Sequence, residues 1–274
     1  MKKLLIIFLM IINFSSMAKT IPAKKYYELF KNYHACFILY DVNEHKILSK
    51  YNPYNRCHQR IAPNSTFKIP LSLMAFNQGI INQNTVFKWN GEKGVLPEHE
   101  QDQTPSTWLK YSVVWVSQQL TPQLGSERIE KFLAGFDYGN QDFSGDPGKN
   151  NGLTNAWLSG SLKISAHEQL EFLKAMLKKE LPVSDAAVES TKKNLYQGTL
   201  ANNASFYGKT GSGHNGKLRD GWFIGFIEKG DKRYIFVSNL TDKVIPTYSE
   251  GKPSPYGGQI IKPITIQLLN DYFT

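Results

Sequence analysis

The sequence predicts an α/β (α+β) protein: a mainly antiparallel sheet with flanking helices and an inserted helical lobe. Three observations carry this. Strand-like runs with tight turns crowd the two ends of the chain, at 35–51 and 205–238. The middle carries helical patterning and cap signals. Consecutive strand runs joined by short turns pair antiparallel, whereas parallel pairs need long crossovers. The sheet therefore draws on about 19–64 and 204–274, and the helical lobe occupies about 65–203.

The first residues read as a targeting segment. Lys2 and Lys3 precede an unbroken apolar run from Leu4 to Ile12, and Ser16-Met17-Ala18 supplies small residues for cleavage. The run is shorter than the roughly 20 residues that span a bilayer. We expect a signal peptide over 1–18, cleavage after Ala18, and one domain over 19–274 without stable membrane insertion.

Cys36-Phe37-Ile38-Leu39-Tyr40, turn residues Asp41 and Asn43, and Lys46-Ile47-Leu48-Ser49 predict a hairpin. Pro63-Asn64 ends the extended segment, and Asn64 is a candidate cap for a helix starting near Ser65. Pro70 fits near the first turn of that helix, and Gly79 fits its end. One helix is expected over Thr107–Leu120 and another over Ser126–Leu133, with Gly135 beyond it. The Gly-, Asn- and Asp-rich stretch from Tyr138 to Thr154 reads as a long loop. Ser165-Ala166-His167-Glu168 is a capping box ahead of Leu170, Leu173 and Leu177. Ser205–Lys209 is extended, Asn215-Gly216 signals a hairpin, and runs at 221–227 and 233–238 are strands. Ile260, Ile264 and Leu268 mark a closing helix.

The chain has 32 basic and 23 acidic residues, a formal net charge of +9. Its lysines are scattered rather than gathered into a stripe, so nucleic acid is not the expected partner. An exported basic protein meets anionic small molecules or an anionic envelope surface instead. The two cysteines, Cys36 and Cys57, leave two states open: a disulfide, or two buried thiols. The six histidines form no metal-ligand spacing, and no metal is expected.

Ser65-Thr66-Phe67-Lys68 places a hydroxyl and an amine at i and i+3. On a helix those positions share a face, with Cβ atoms roughly 5–6 Å apart. A lysine so placed can take the serine's proton if it is held neutral, which is the chemistry of a serine acyl-transfer nucleophile. Ser112-Val113-Val114 follows in an aromatic-rich helical segment. Lys209-Thr210-Gly211 sits at a strand end, with a cation, a hydroxyl and a glycine that admits close approach to the backbone.

These motifs in this order resemble the serine β-lactamases and penicillin-binding proteins. There is no Ser-Asp-Asn and no glutamate loop motif of the class A kind. Ser65-Thr66-Phe67-Lys68, Ser112-Val113-Val114, Tyr138-Gly139-Asn140, Trp157-Leu158-Ser159-Gly160 and Lys209-Thr210-Gly211 together look like the class D, oxacillinase-type enzymes. The resemblance implies hydrolysis of the β-lactam ring of penicillin-type substrates through an acyl-enzyme at Ser65. It implies that Lys68, carboxylated by carbon dioxide or bicarbonate, is the general base, and that no other cofactor is needed. Ser112 would relay a proton, while Lys209, Thr210, Gly211 and Ser212 would hold substrate. Val113, Trp157 and Tyr138 would support the site, with Tyr138-Gly139-Asn140 on the cleft wall. The backbone N–H groups of Ser65 and Ser212 would form the oxyanion hole. It also implies a periplasmic location. Many relatives place a carboxylate-clamping arginine after the last strand; between Asn239 and Gly258 this chain has Lys243 and Lys252 but no arginine. Two further readings fit the same motifs: a β-lactam sensor or penicillin-binding protein that acylates without turnover, and a peptidoglycan carboxypeptidase. The motifs fix neither oligomeric state nor substrate spectrum.

Overall fold

Six antiparallel strands in the order β2-β1-β6-β5-β4-β3 form the sheet of the computed structural model. It describes residues 20–247 and 255–273, so the expected signal peptide lies outside the described residues. The strands are β1 (Tyr33–Asp41), β2 (Lys46–Tyr51), β3 (Tyr196–Thr199), β4 (Ser205–Asn215), β5 (Leu218–Lys229) and β6 (Lys232–Asp242). The expected hairpins form, the second turning at Gly216 and Lys217, just after Asn215. One strand, β3, sits ahead of the expected sheet segment at 204.

Both faces of the sheet are covered, and side-chain alternation decides what each face meets. Cys36 and Ile38 of β1, with Trp222 and Ile224 of β5, join the core beneath the helical lobe. Ala35, Phe37 and Leu39, with Phe223 and Ile227, join a second core. That second core is closed by α1 (Ala23–Phe30) and α9 (Gly257–Phe273). Strands buried on both faces read as near-continuous apolar runs, which is how 35–40 and 222–227 read.

The helical lobe is α2 (Lys68–Asn77), α3 (Pro105–Tyr111), α4 (Val114–Leu124), α5 (Ser126–Gly135), the short α6 (Gly152–Asn155), α7 (Ala166–Lys178) and α8 (Asp185–Asn194). The α7 capping box forms as expected, Ser165 and Glu168 each bonding the other's backbone. Four expectations change. Helix α6 starts at Gly152, within the stretch expected as loop. The single helix over 107–120 is two, because Ser112 adopts φ +63° and ends α3. Gly135 lies inside α5. Asn64 does not cap a helix. A 3-10 turn, Asn64–Phe67, leads into α2, and the Asn64 side chain accepts from the Ser159 N–H and donates to the Ala62 carbonyl.

Cys36 and Cys57 are disulfide-bonded. Cys57 lies in the 3-10 segment Pro53–His58 after β2, and the bond ties that segment to β1.

Candidate active site

Ser65 stands in the 3-10 turn at the foot of α2, and Lys68 is the first residue of that helix. The Lys68 Nζ donates to Ser65 Oγ at 3.1 Å. Lys68 is fully buried. Burial pushes its amine down from the ordinary 10.5 to about 7. Phe67, between them in sequence, turns away and stacks on Trp157 with ring centroids 5.3 Å apart. The indole N–H of Trp157 can only donate, is buried, and has no hydrogen-bond partner among the described residues. The Trp157 carbonyl accepts from the Asn64 N–H, which fastens the tryptophan loop to the serine turn.

Ser112 is where α3 stops. Its left-handed backbone breaks the helix, and Val113, fully buried, donates its N–H to the Trp108 carbonyl. The break presents Ser112 Oγ to β4, where it accepts from Lys209 Nζ at 2.7 Å. Lys209 also donates to the Thr210 carbonyl at 3.1 Å. It is buried, and burial together with the Lys68 and Lys262 charges drives its amine well below the usual lysine range. Among the described residues, no carboxylate is paired with Lys68, Lys209 or Lys262.

β3 pairs with β4 no further than Tyr207, so the Lys209–Ser212 stretch, paired with β5 on one side, borders the cleft on the other. Gly211 lets β4 lie against the serine turn: a Cβ there would sit 2.7 Å from the Pro63 carbonyl oxygen. Ser212 Oγ accepts from the Gly258 N–H at 2.9 Å, which seats the start of α9 against the same strand.

These residues share one cleft of about 400 Å³, lined by Ser65, Ser112, Lys209, Thr210 and Ser212 among others. Trp157 and Val113 lie behind it, buried. Tyr138 does not reach the cleft wall. It is fully buried, its hydroxyl accepts from Gln169, and its ring packs on Phe67 and Phe172. Asn140 likewise turns inward, bonding Ser161 and Lys163 backbone.

Several cleft residues carried no motif. Val95, Leu96 and His99 come from the 88–99 segment; Gln197 comes from β3, and Tyr256, Gln259 and Lys262 from the α9 end. Lys262 carries no local signal in the sequence; it reaches the cleft through the docking of α9. No group of three or more His, Cys, Asp or Glu side chains that could hold a metal occurs among the described residues.

Residues 35–266 match the penicillin binding protein transpeptidase domain. The chain is 46% identical over 241 residues to β-lactamase OXA-1 of Escherichia coli, covering 86% of this chain and 87% of that one. Among solved structures it is similar to the class D β-lactamase OXA-427, with TM-score 0.72 and 36% identity. That match covers 82% of this chain and 92% of the other. It is also similar to the C-terminal domain of the Bacillus licheniformis BlaR penicillin-receptor, with TM-score 0.78 and 28% identity over 92% and 95%. The chain, with a serine and a buried lysine on one helical turn opposite a Lys-Thr-Gly strand, belongs to the penicillin binding protein transpeptidase family. Within that family the chain belongs to the class D serine β-lactamases.

Proposed function

We propose that this chain hydrolyses the β-lactam ring of penicillin-type antibiotics through an acyl-enzyme at Ser65, with Lys68 carboxylated as the general base. One observation carries the reading: the Lys68 amine is fully buried, 3.1 Å from Ser65 Oγ, and its pKa falls to about 7. A neutral amine is what reacts with carbon dioxide. Trp157, stacked on Phe67 beside Lys68 in sequence, suits the product: its buried N–H has no acceptor among the described residues, and an anionic carbamate would supply one. Once formed, that group supplies a base able to take a proton from Ser65 and later from water.

The remaining roles belong to the chain's own side chains. Ser65 Oγ attacks the lactam carbonyl carbon, and its proton leaves toward the Lys68 side chain. Ser112 Oγ accepts from Lys209, so its own proton is left for the departing lactam nitrogen. The ring C–N bond breaks as that proton arrives. The backbone N–H groups of Ser65 and Ser212 hold the carbonyl oxygen; loss of one such donor typically lowers the rate about 10²–10³-fold. Water then attacks the ester carbonyl, and Ser65 is released with its proton restored. Thr210 and Ser212 hold substrate at the strand.

The disulfide suits export to an oxidising compartment, the periplasm. Similarity to a penicillin-receptor domain supports a second reading, in which the chain acylates and stays acylated. Steady-state kinetics on a penicillin separates the two. Many rings opened per protein molecule support hydrolysis; one equivalent retained supports the receptor reading. Ser65→Ala abolishes acylation. Lys68→Ala acylates poorly and deacylates so slowly that the ester is detectable by mass spectrometry. Degassed buffer near pH 6 suppresses turnover, and added bicarbonate restores it. Turnover indifferent to bicarbonate would remove the carboxylated lysine from the mechanism.

A further inference from the structure

Among the described residues, Lys110, Lys209 and Lys262 line the cleft, and no aspartate or glutamate does. Lys209 is already engaged, donating to Ser112 Oγ and to the Thr210 carbonyl. Lys110 lies over the Tyr111 ring at 5.2 Å on an exposed helix face. Lys262 is different. It is half-buried on α9, one turn beyond Gly258, and Gly258 is pressed against Thr210 and Ser212.

The chain aims Lys262 deliberately. Its stem crosses the Phe223 ring, with Nζ 5.6 Å from the centroid. Its Nζ donates to Gln197 Oε1 at 2.8 Å, and Gln197 Nε2 donates to the Gly208 carbonyl at 3.1 Å. Gln197 points this way because β3 is irregular between Tyr196 and Gly198; a bulge re-aims the residue it holds. A neutral amide acceptor holds the ammonium in place without neutralising it. An ammonium has three donors, so two remain for a ligand.

We propose that Lys262 is the cationic anchor for the substrate's carboxylate, binding it together with Thr210 and Ser212 from the α9 side of the cleft. This rests on the β-lactam reading and fills the place for which the sequence offers no arginine. The division of labour is physical. Lys209, bonded to Ser112, is tied to proton transfer to the leaving nitrogen, while Lys262 attracts the anion as a point charge.

The test compares a penicillin free acid with its methyl ester, which keeps the ring and loses the anion. Rates are normalised to sites acylatable at Ser65, so that unfolded protein does not count. In Lys262→Met, kcat/KM for the acid falls about 10- to 100-fold, as expected for loss of a charge-assisted bond, and most of the fall is in KM. The ester is opened at the wild-type rate within about threefold. Lys262→Arg keeps acid turnover within about threefold, because the charge is retained. Unchanged acid kinetics in Lys262→Met, or an equal loss on acid and ester, overturns the assignment. A wild-type protein that opens neither ring overturns the hydrolase reading itself, which is a different result.

Discussion

The Lys68 amine is asked to be neutral near physiological pH, and the molecule achieves this by burial alone. Among the described residues no carboxylate is paired with it, and desolvation is the force that lowers its pKa. The same force makes folding stability depend on pH in a definable window. Between about 7 and 10.5 the unfolded chain holds a proton on Lys68 that the folded chain lacks. Stability contributed by this residue therefore rises with pH across that window and is lowest below it. In carbon-dioxide-free buffer, urea unfolding of the wild type should gain stability from pH 7 to 8.5 relative to Lys68→Met, by about 2 kcal/mol. Below pH 7 the variant should be the more stable of the two while showing no normal turnover, since it no longer carries a buried charge. Parallel pH profiles for the two proteins would show that Lys68 titrates as an ordinary lysine. The residue scale is also where the sequence was most legible. The Ser65–Lys68 spacing alone placed the two groups on one turn, and burial of Lys68 followed from its apolar neighbours. Lys262 was not legible, because nothing local distinguishes it; its role depends on how α9 docks and on an irregularity in β3.

At the scale of elements, the site exists because three backbone segments stop or bend in the right places. α3 ends at Ser112 in a left-handed conformation, which non-glycine residues adopt at a local energetic penalty. Helical patterning on both sides of Ser112 conceals that break, so the sequence reads as one continuous helix. β4 runs past the end of β3 and presents Lys209 to Ser112. The serine turn lies against β4 at Gly211. Strands β1, β5 and β6 and the α7 capping box were readable from alternation and cap chemistry. α1, α8 and β3 were missed because they are short or polar and are held by tertiary packing, which local propensity does not see. Gly211 offers the sharpest test at this scale. In Gly211→Ala, a Cβ 2.7 Å from the Pro63 oxygen forces β4 and the serine turn apart. A shift of about 1 Å at reacting groups is worth about 10²-fold in rate. We expect kcat/KM to fall by about that factor and thermal stability to drop. Wild-type kinetics in a folded Gly211→Ala protein would mean that the turn and strand are not in close register.

For the whole molecule, the serine turn hangs from a crossover segment, 52–63, that leaves the sheet edge at β2 and returns beneath the helical lobe. Its far end is held by the Trp222 indole at the Ala62 carbonyl and by the Ile61–Ile164 bridge, and two fastenings hold its first half. One is the Cys36–Cys57 bond to β1. The other is Arg56, buried, whose guanidinium donates to Asn239 Oδ1 at 3.1 Å and to Thr241 Oγ1 at 2.6 Å on β6. Thr241 donates in turn to Asp220 Oδ1 on β5, so strands β5 and β6 and the crossover share one polar chain. We expect Arg56 to hold the segment without the disulfide, so that the bond acts chiefly by restricting the unfolded chain. A loop of 21 residues closed in this way is worth about 3 kcal/mol in the chain-entropy account. For a domain of this size each kcal/mol moves Tm by about 2–4 °C, which puts the loss on reduction at about 6–12 °C. Activity at 25 °C should survive reduction within about threefold, because Arg56 still holds the segment that carries Ser65. Calorimetry and penicillin turnover with and without dithiothreitol check both halves. An unchanged Tm would show that the unfolded chain gains nothing from release of the bond, and lost activity at 25 °C would show that the disulfide, not Arg56, sets the serine in place.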